Sequence, residues 1–147
     1  MNAPQQVLNA IKAALLSADT QAALRVFVDR VDPLQPSELP AVVIEESSDG
    51  EAAEVLQLNN VQKRTLGVQL QCVMAGATAA ADVRELAVAV EKAISTSAAL
   101  AQLCKLELQL QSNRPVINGD GDRVLAAREQ VWRFAYLVDP TAPDIIL

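Results

Sequence analysis

Apolar and polar residues alternate one for one through residues 64–74. Leu66, Val68, Leu70, Cys72 and Met74 take one face, and Thr65, Gly67, Gln69 and Gln71 the other. A period of two belongs to a strand with one buried face. Residues 79–95 change period: Val83, Leu86, Ala87, Val90, Ala93 and Ile94 recur at steps of three and four, with Arg84, Glu85, Glu91 and Lys92 off the stripe. That spacing predicts an amphipathic helix with one face on the sheet. Two more strands follow, 105–111 and 124–138, joined through Asn118-Gly119-Asp120-Gly121, and Asn-Gly and Asp-Gly are strong hairpin signals.

The first third of the chain reads less sharply. Residues 4–16 predict a helix, with Pro4 suited to a first turn, Asn2 as cap, and Val7, Leu8, Ile11, Ala14 and Leu15 as its apolar stripe. Residues 23–30 alternate like a strand, and 32–40, holding Pro33, Pro36 and Pro40, predict an extended loop. Residues 41–46 predict a short strand that ends in Ser47-Ser48-Asp49-Gly50, with a further short strand or flap at 55–59. In the last strand Arg128 and Gln130 share the parity of Trp132, against Leu125, Ala127 and Val131. This predicts a bulge near 129–131, or a strand that runs out of its own core.

The order of elements predicts an α/β (α+β) fold with a mixed, mostly antiparallel sheet and two helices packed on one face. One domain is expected over residues 1–139, with 140–147 as a flexible tail. The other sheet face would then carry Gln69, Gln71, Lys105, Glu107, Gln109 and Gln111, with Gln57 at its margin: a solvated face, or one whose amides meet neighbouring subunits or line a channel.

Composition narrows the function classes. The chain has 147 residues, 51% of them hydrophobic but only 3% aromatic, so its core should be small and aliphatic. Three of the four aromatics, Trp132, Phe134 and Tyr136, share one strand and are expected in that core. A net charge of -6, with no basic cluster beyond Lys63-Arg64, argues against tight binding to nucleic-acid phosphates. No stretch approaches the roughly 20 apolar residues of a membrane span, and residues 1–6 lack the basic start of a signal peptide, so neither export by a standard signal nor membrane insertion is expected.

Histidine is absent, which removes the commonest general base and the imidazole metal ligands. Cys72 and Cys104 have no CxxC spacing and predict two buried free thiols, a disulfide between neighbouring strands being the alternative. There is no GxGxxG and no phosphate-cradling glycine loop. The string Asn118-Gly-Asp120-Gly-Asp122, with Glu129 beyond it, resembles a calcium loop in its alternating oxygens. It has Arg123 where the central glycine belongs, and it sits between strands, so a hairpin turn is the reading. No enzyme, metal or cofactor is predicted.

The runs Leu39-Pro-Ala-Val-Val-Ile-Glu45, Lys63-Arg-Thr-Leu-Gly-Val-Gln-Leu-Gln-Cys-Val73, Ala80-Ala-Asp-Val-Arg-Glu-Leu-Ala-Val-Ala-Val-Glu-Lys-Ala-Ile94 and Trp132-Arg-Phe-Ala-Tyr136 together resemble the minor tail proteins of long-tailed bacteriophages that act as tail terminators. The resemblance lies in pattern and order across residues 4–140. It implies a virion or prophage structural protein that forms a hexameric ring with copies of itself. Such a ring caps the finished tail tube, ends its growth and offers a joining surface to the head.

The partners so implied are the major tail tube protein below and a head-completion or connector protein above. DNA passes through such a ring without specific binding. The loops 45–54 and 113–123, long, charged and close to sheet ends, are the candidate contact surfaces, through Glu45, Glu46, Asp49, Glu54, Arg114, Asp120, Asp122 and Arg123. The alternatives are another tail-completion, neck or tailocin protein of the same fold, and a small-molecule-binding regulatory module with Ala75-Gly-Ala-Thr78 as its faint ligand loop.

Overall fold

A computed structural model describes residues 1–56, 60–116, 119–120 and 123–147, with the backbone alone at 119, 120, 123 and 124. Helix α1 (Ala3–Ala18) begins where the Asn2 side chain accepts from the Gln5 amide at 2.7 Å, and buries Val7, Leu8, Ile11 and Leu15. Strand β1 is only Val26–Val28, shorter than the alternation predicts, because Ala23 and Asp29 on either side take left-handed backbone angles (φ 51° and 54°) that no strand continues. Strands β2 (Ala41–Val55) and β3 (Gln62–Ala75) follow, then helix α2 (Ala79–Ser95), with the bounds its periodicity predicts. A short helix α3 (Ala98–Leu103), capped by Ser97, buries Leu100 and was not expected. Strands β4 (Glu107–Val116), β5 (Gly119–Asp120), β6 (Arg123–Asp139) and β7 (Ala142–Ile146) complete the chain.

The sheet runs β1-β2-β3-β6-β4, with β5 and β7 also on β6, and only β1–β2 is parallel. The fold is therefore α+β with a mixed, mostly antiparallel sheet, as the order of elements predicts. Strand β6 is its spine. From Leu125 to Val138 it pairs with β3 on one side, while β5, β4 and β7 lie end to end along the other.

The two long helices and α3 cover one face. Val42 and Ile44 of β2, Leu66, Val68, Leu70 and Cys72 of β3, and Trp132, Phe134, Tyr136 and Val138 of β6 point into the core beneath them. Each large side chain fully buried there contributes roughly 1.5–3 kcal/mol. The Trp132 and Phe134 rings stack with centroids 6.0 Å apart. Cys72 and Cys104 are both buried and free, with no disulfide.

Four sequence expectations need correction. Strand β2 does not stop at Glu46: Glu51–Val55 resume pairing with β3, and residues 47–50 stand as a bulge opposite Gly67 alone. Their turn-forming side chains made the segment read as an ending, but the β3 ladder overrides that local preference. The bulge expected near 129–131 falls on the partner strand, where Gln111 is the extra residue between Leu110 and Ser112 opposite Val131–Trp132. The third correction is α3 itself. The fourth is the tail: residues after Pro140 run as β7, with Ile146 opposite Val138 and the Leu147 amide donating to Leu137 O at 2.9 Å. β6 reaches beyond β4 and leaves an open ladder there for β7 to fill.

Candidate functional site

The face turned away from the helices carries the polar half of each alternation. Pairing sets Gln69 against Val131, Gln71 against Glu129, and Gln109 against Arg133. Gln69 and Gln71 are half-buried, Gln109 and Gln111 exposed, and Lys105 is exposed just ahead of β4. Gln57 lies outside the described residues. The charges on this face are matched locally, Arg114 to Glu129 at 3.4 Å and Arg133 to Glu107 at 3.5 Å. The surface is thus polar around these pairs, with Glu45, Asp49 and Glu54 adding acid toward β2.

A groove of about 530 Å³ crosses this face, lined by Asp49, Glu54, Lys63, Thr65, Gly67 and Arg133 among others. Its wall is the β2 bulge. Ser47 folds over Gly67 so closely that a Cβ on Gly67 would meet Ser47 Oγ at 2.2 Å, so a side chain at 67 would force the Ser47 hydroxyl to move. The buried Ser47 hydroxyl has no hydrogen-bond partner among the described residues.

On the helix side, beyond the core, a polar cluster ties the far half of β2 to its neighbours. Tyr136 Oη donates to Glu51, Arg64 bridges to Glu51 at 2.9 Å, and Arg64 also donates to Gln62 at 3.1 Å. Burial, then the Glu51 carboxylate, raises the Tyr136 phenol above its ordinary range, so it stays a donor.

One polar residue in the core escaped sequence reasoning. Gln130, fully buried on β6, donates to Ala87 O of α2 at 2.9 Å and accepts from Trp132 Nε1 at 3.0 Å. Its parity with Trp132 was the signal, and it links the sheet to α2 by hydrogen bonds rather than by packing alone. The thiols offer little chemistry: burial pushes both Cys72 and Cys104 up to about 12, far from the thiolate a nucleophile requires.

Of the eight sequence-predicted contact residues, four lie on β2 and three on β4, β5 and β6 across the sheet. Asp49 and Glu54 come together at the groove, both exposed. Glu45 is half-buried on the open face opposite Gln69, and Glu46, opposite Val68, is exposed beyond the helices. Arg114 lies on β4, with β3 and β6 between it and β2, and toward the other end. Asp120 and Arg123 pair backbone to backbone where β5 meets β6, and Asp122 lies outside the described residues, as does Asn118 of the calcium-like string. Glu129 of that string is held by Arg114.

No family model matches the chain, and no curated protein matches it in sequence. Among solved structures, it is similar to a chain of the virion of a native gene transfer agent particle, with 15% sequence identity, a TM-score of 0.51, and coverage of 89% of both chains. At that identity, the two share a fold.

Proposed function

We propose that this protein is a structural component of a phage-like particle, and within that class a tail terminator. Copies associate as a hexameric ring that caps the tail tube, ends its polymerisation and joins the tail to the head. The observation that carries the reading is the fold shared with a virion chain over 89% of both molecules. The order of elements, on which the tail-terminator resemblance rests, supports the finer reading. The work is done by surfaces: the sheet margins meet neighbouring copies in the ring, and the rims of the ring dock on the tube protein on one side and a head-completion protein on the other. No catalytic step is required of it. The self-paired charges of the open face would let DNA pass without being held by its phosphates.

The test is light scattering of the purified protein across concentration, with negative-stain imaging, followed by deletion of its gene from a producing strain. Six-membered rings, and tails of uncontrolled length or unjoined to heads in the deletion, are expected. Normal-length, head-joined tails in the deletion strain would overturn the terminator role.

A further inference from the structure

Among the described residues, the large apolar side chains left exposed are Met1, Leu24, Val31, Val55, Val88, Leu106, Ile145 and Leu147. Met1 is terminal and Val88 lies on α2. The other six lie on the two margins of the sheet: Leu24 and Val31 flank β1, Val55 ends β2, Leu106 leads into β4, and Ile145 and Leu147 are in or just after β7. Isolated exposed hydrophobics are ordinary, but their gathering along both edges of one sheet marks a contact surface.

The margins also match in height, charge and direction. Through the ladder Val55 is level with Gln62, Val138 and Ile146, and Ala52 is level with Thr65, Ala135 and Glu107. The β2 margin exposes Glu46, Asp49 and Glu54, whereas the opposite margin exposes Lys105, with Arg114 held by Glu129 and Asp144 as an acid on β7. Two β2 margins would set acid against acid, whereas the Lys105 end of the opposite margin attracts them. Beyond Glu46, β2 has β3 on one side and no strand on the other among the described residues, and β4 likewise has only β6. Such unpaired edges accept a further strand.

Successive antiparallel pairings make β4 run opposite to β2. Rotation about an axis along the strands keeps each strand's direction, so β4 of one copy would meet β2 of the next antiparallel, the more stable ladder. A contact between unlike surfaces closes into a ring when the rotation relating the copies divides a full turn and carries no rise along the axis.

We propose that the β1–β2 margin of one copy docks on the β4–β7 margin of a second copy, with Val55 seated among Leu106, Ile145 and Leu147 and the β2 acids facing Lys105. This inference rests on the ring reading above and names the surface that would make the ring.

The test uses the full chain carrying Val55→Cys and Leu106→Cys together, and each alone, treated with mild oxidant or a short bis-maleimide. Cys72 and Cys104, being buried, stay out of the reaction. The double variant is expected to give a covalent ladder that closes at the ring, and each single variant to stay uncrosslinked. A covalent dimer from either single variant would mean that like margins meet, and overturns the proposal. No ladder from a double variant that light scattering shows to be a ring overturns it as well, and leaves the ring reading standing. Absence of any ring, free or on particles, removes the ring reading itself and the margin contact with it. Leu106→Asp, folded by circular dichroism, should weaken assembly at least tenfold, and unchanged assembly counts against the contact.

Discussion

The two faces of this sheet share one set of ladders and are held by different means. Beneath the helices, the alternate residues of β3 and β6 form a continuous apolar layer, and its one fully buried polar side chain, Gln130, has a partner at each end. On the open face the same strands carry amides and ion pairs, Arg133–Glu107 and Arg114–Glu129, that remain partly in water. Stability therefore resides in the covered face, and the open face is free to be chosen for what it touches. Exposed ion pairs contribute about 0–1 kcal/mol, whereas loss of a large core side chain costs several times that.

Three substitutions probe this contrast. Trp132→Ala removes the ring stacked on Phe134 and orphans the Gln130 amide oxygen, and should cost about 3–5 kcal/mol in urea unfolding. A cost near that of an open-face change would erase the distinction between the faces.

Gly67→Ala is the sharper case, because Gly67 is on the open face yet buried under the bulge. It should cost about 1–3 kcal/mol, as overpacking does. Most of that should return when Ser47→Ala is added, since the remaining contact, at 3.4 Å from Ser47 Cβ, is ordinary. A double-mutant cycle with no coupling would mean that Ser47 does not set the requirement for glycine. The smallest effect belongs to Arg133→Gln, within about 1 kcal/mol and shrinking further in added salt.

Much of this architecture is legible in the residues. Strand β3 and helix α2 follow from period alone, because each buries one clean face against a single neighbouring layer. What the residues conceal is where pairing overrides local preference. Ser47-Ser48-Asp49-Gly50 has the composition of a turn, and only the β3 ladder on both sides of it makes it a bulge inside one strand. Ile145 and Ile146 follow two prolines and read as loose, until the overhang of β6 provides a partner. Gln130 looked like a break in the apolar face because a glutamine gives no sign that a helix carbonyl and an indole N–H await it. The candidate contact residues were legible as charged positions. Their separation across the sheet was not, since it depends on the strand order β2-β3-β6-β4.

The position of β6 also bears on biosynthesis. The strand that pairs with β3, β4, β5 and β7 begins at Arg123, after most of the sheet has been made. Until it leaves the ribosome, β3 has β2 on one side and nothing on the other, and the apolar rows meant for the core have only half their floor. The sheet therefore cannot close progressively as it is translated, and its long-range β3–β6 and β4–β6 pairing must wait until β6 has emerged. Nascent chains held short of Arg123 should remain open to protease and dependent on chaperones. Those extended past Asp139 should become resistant in one step.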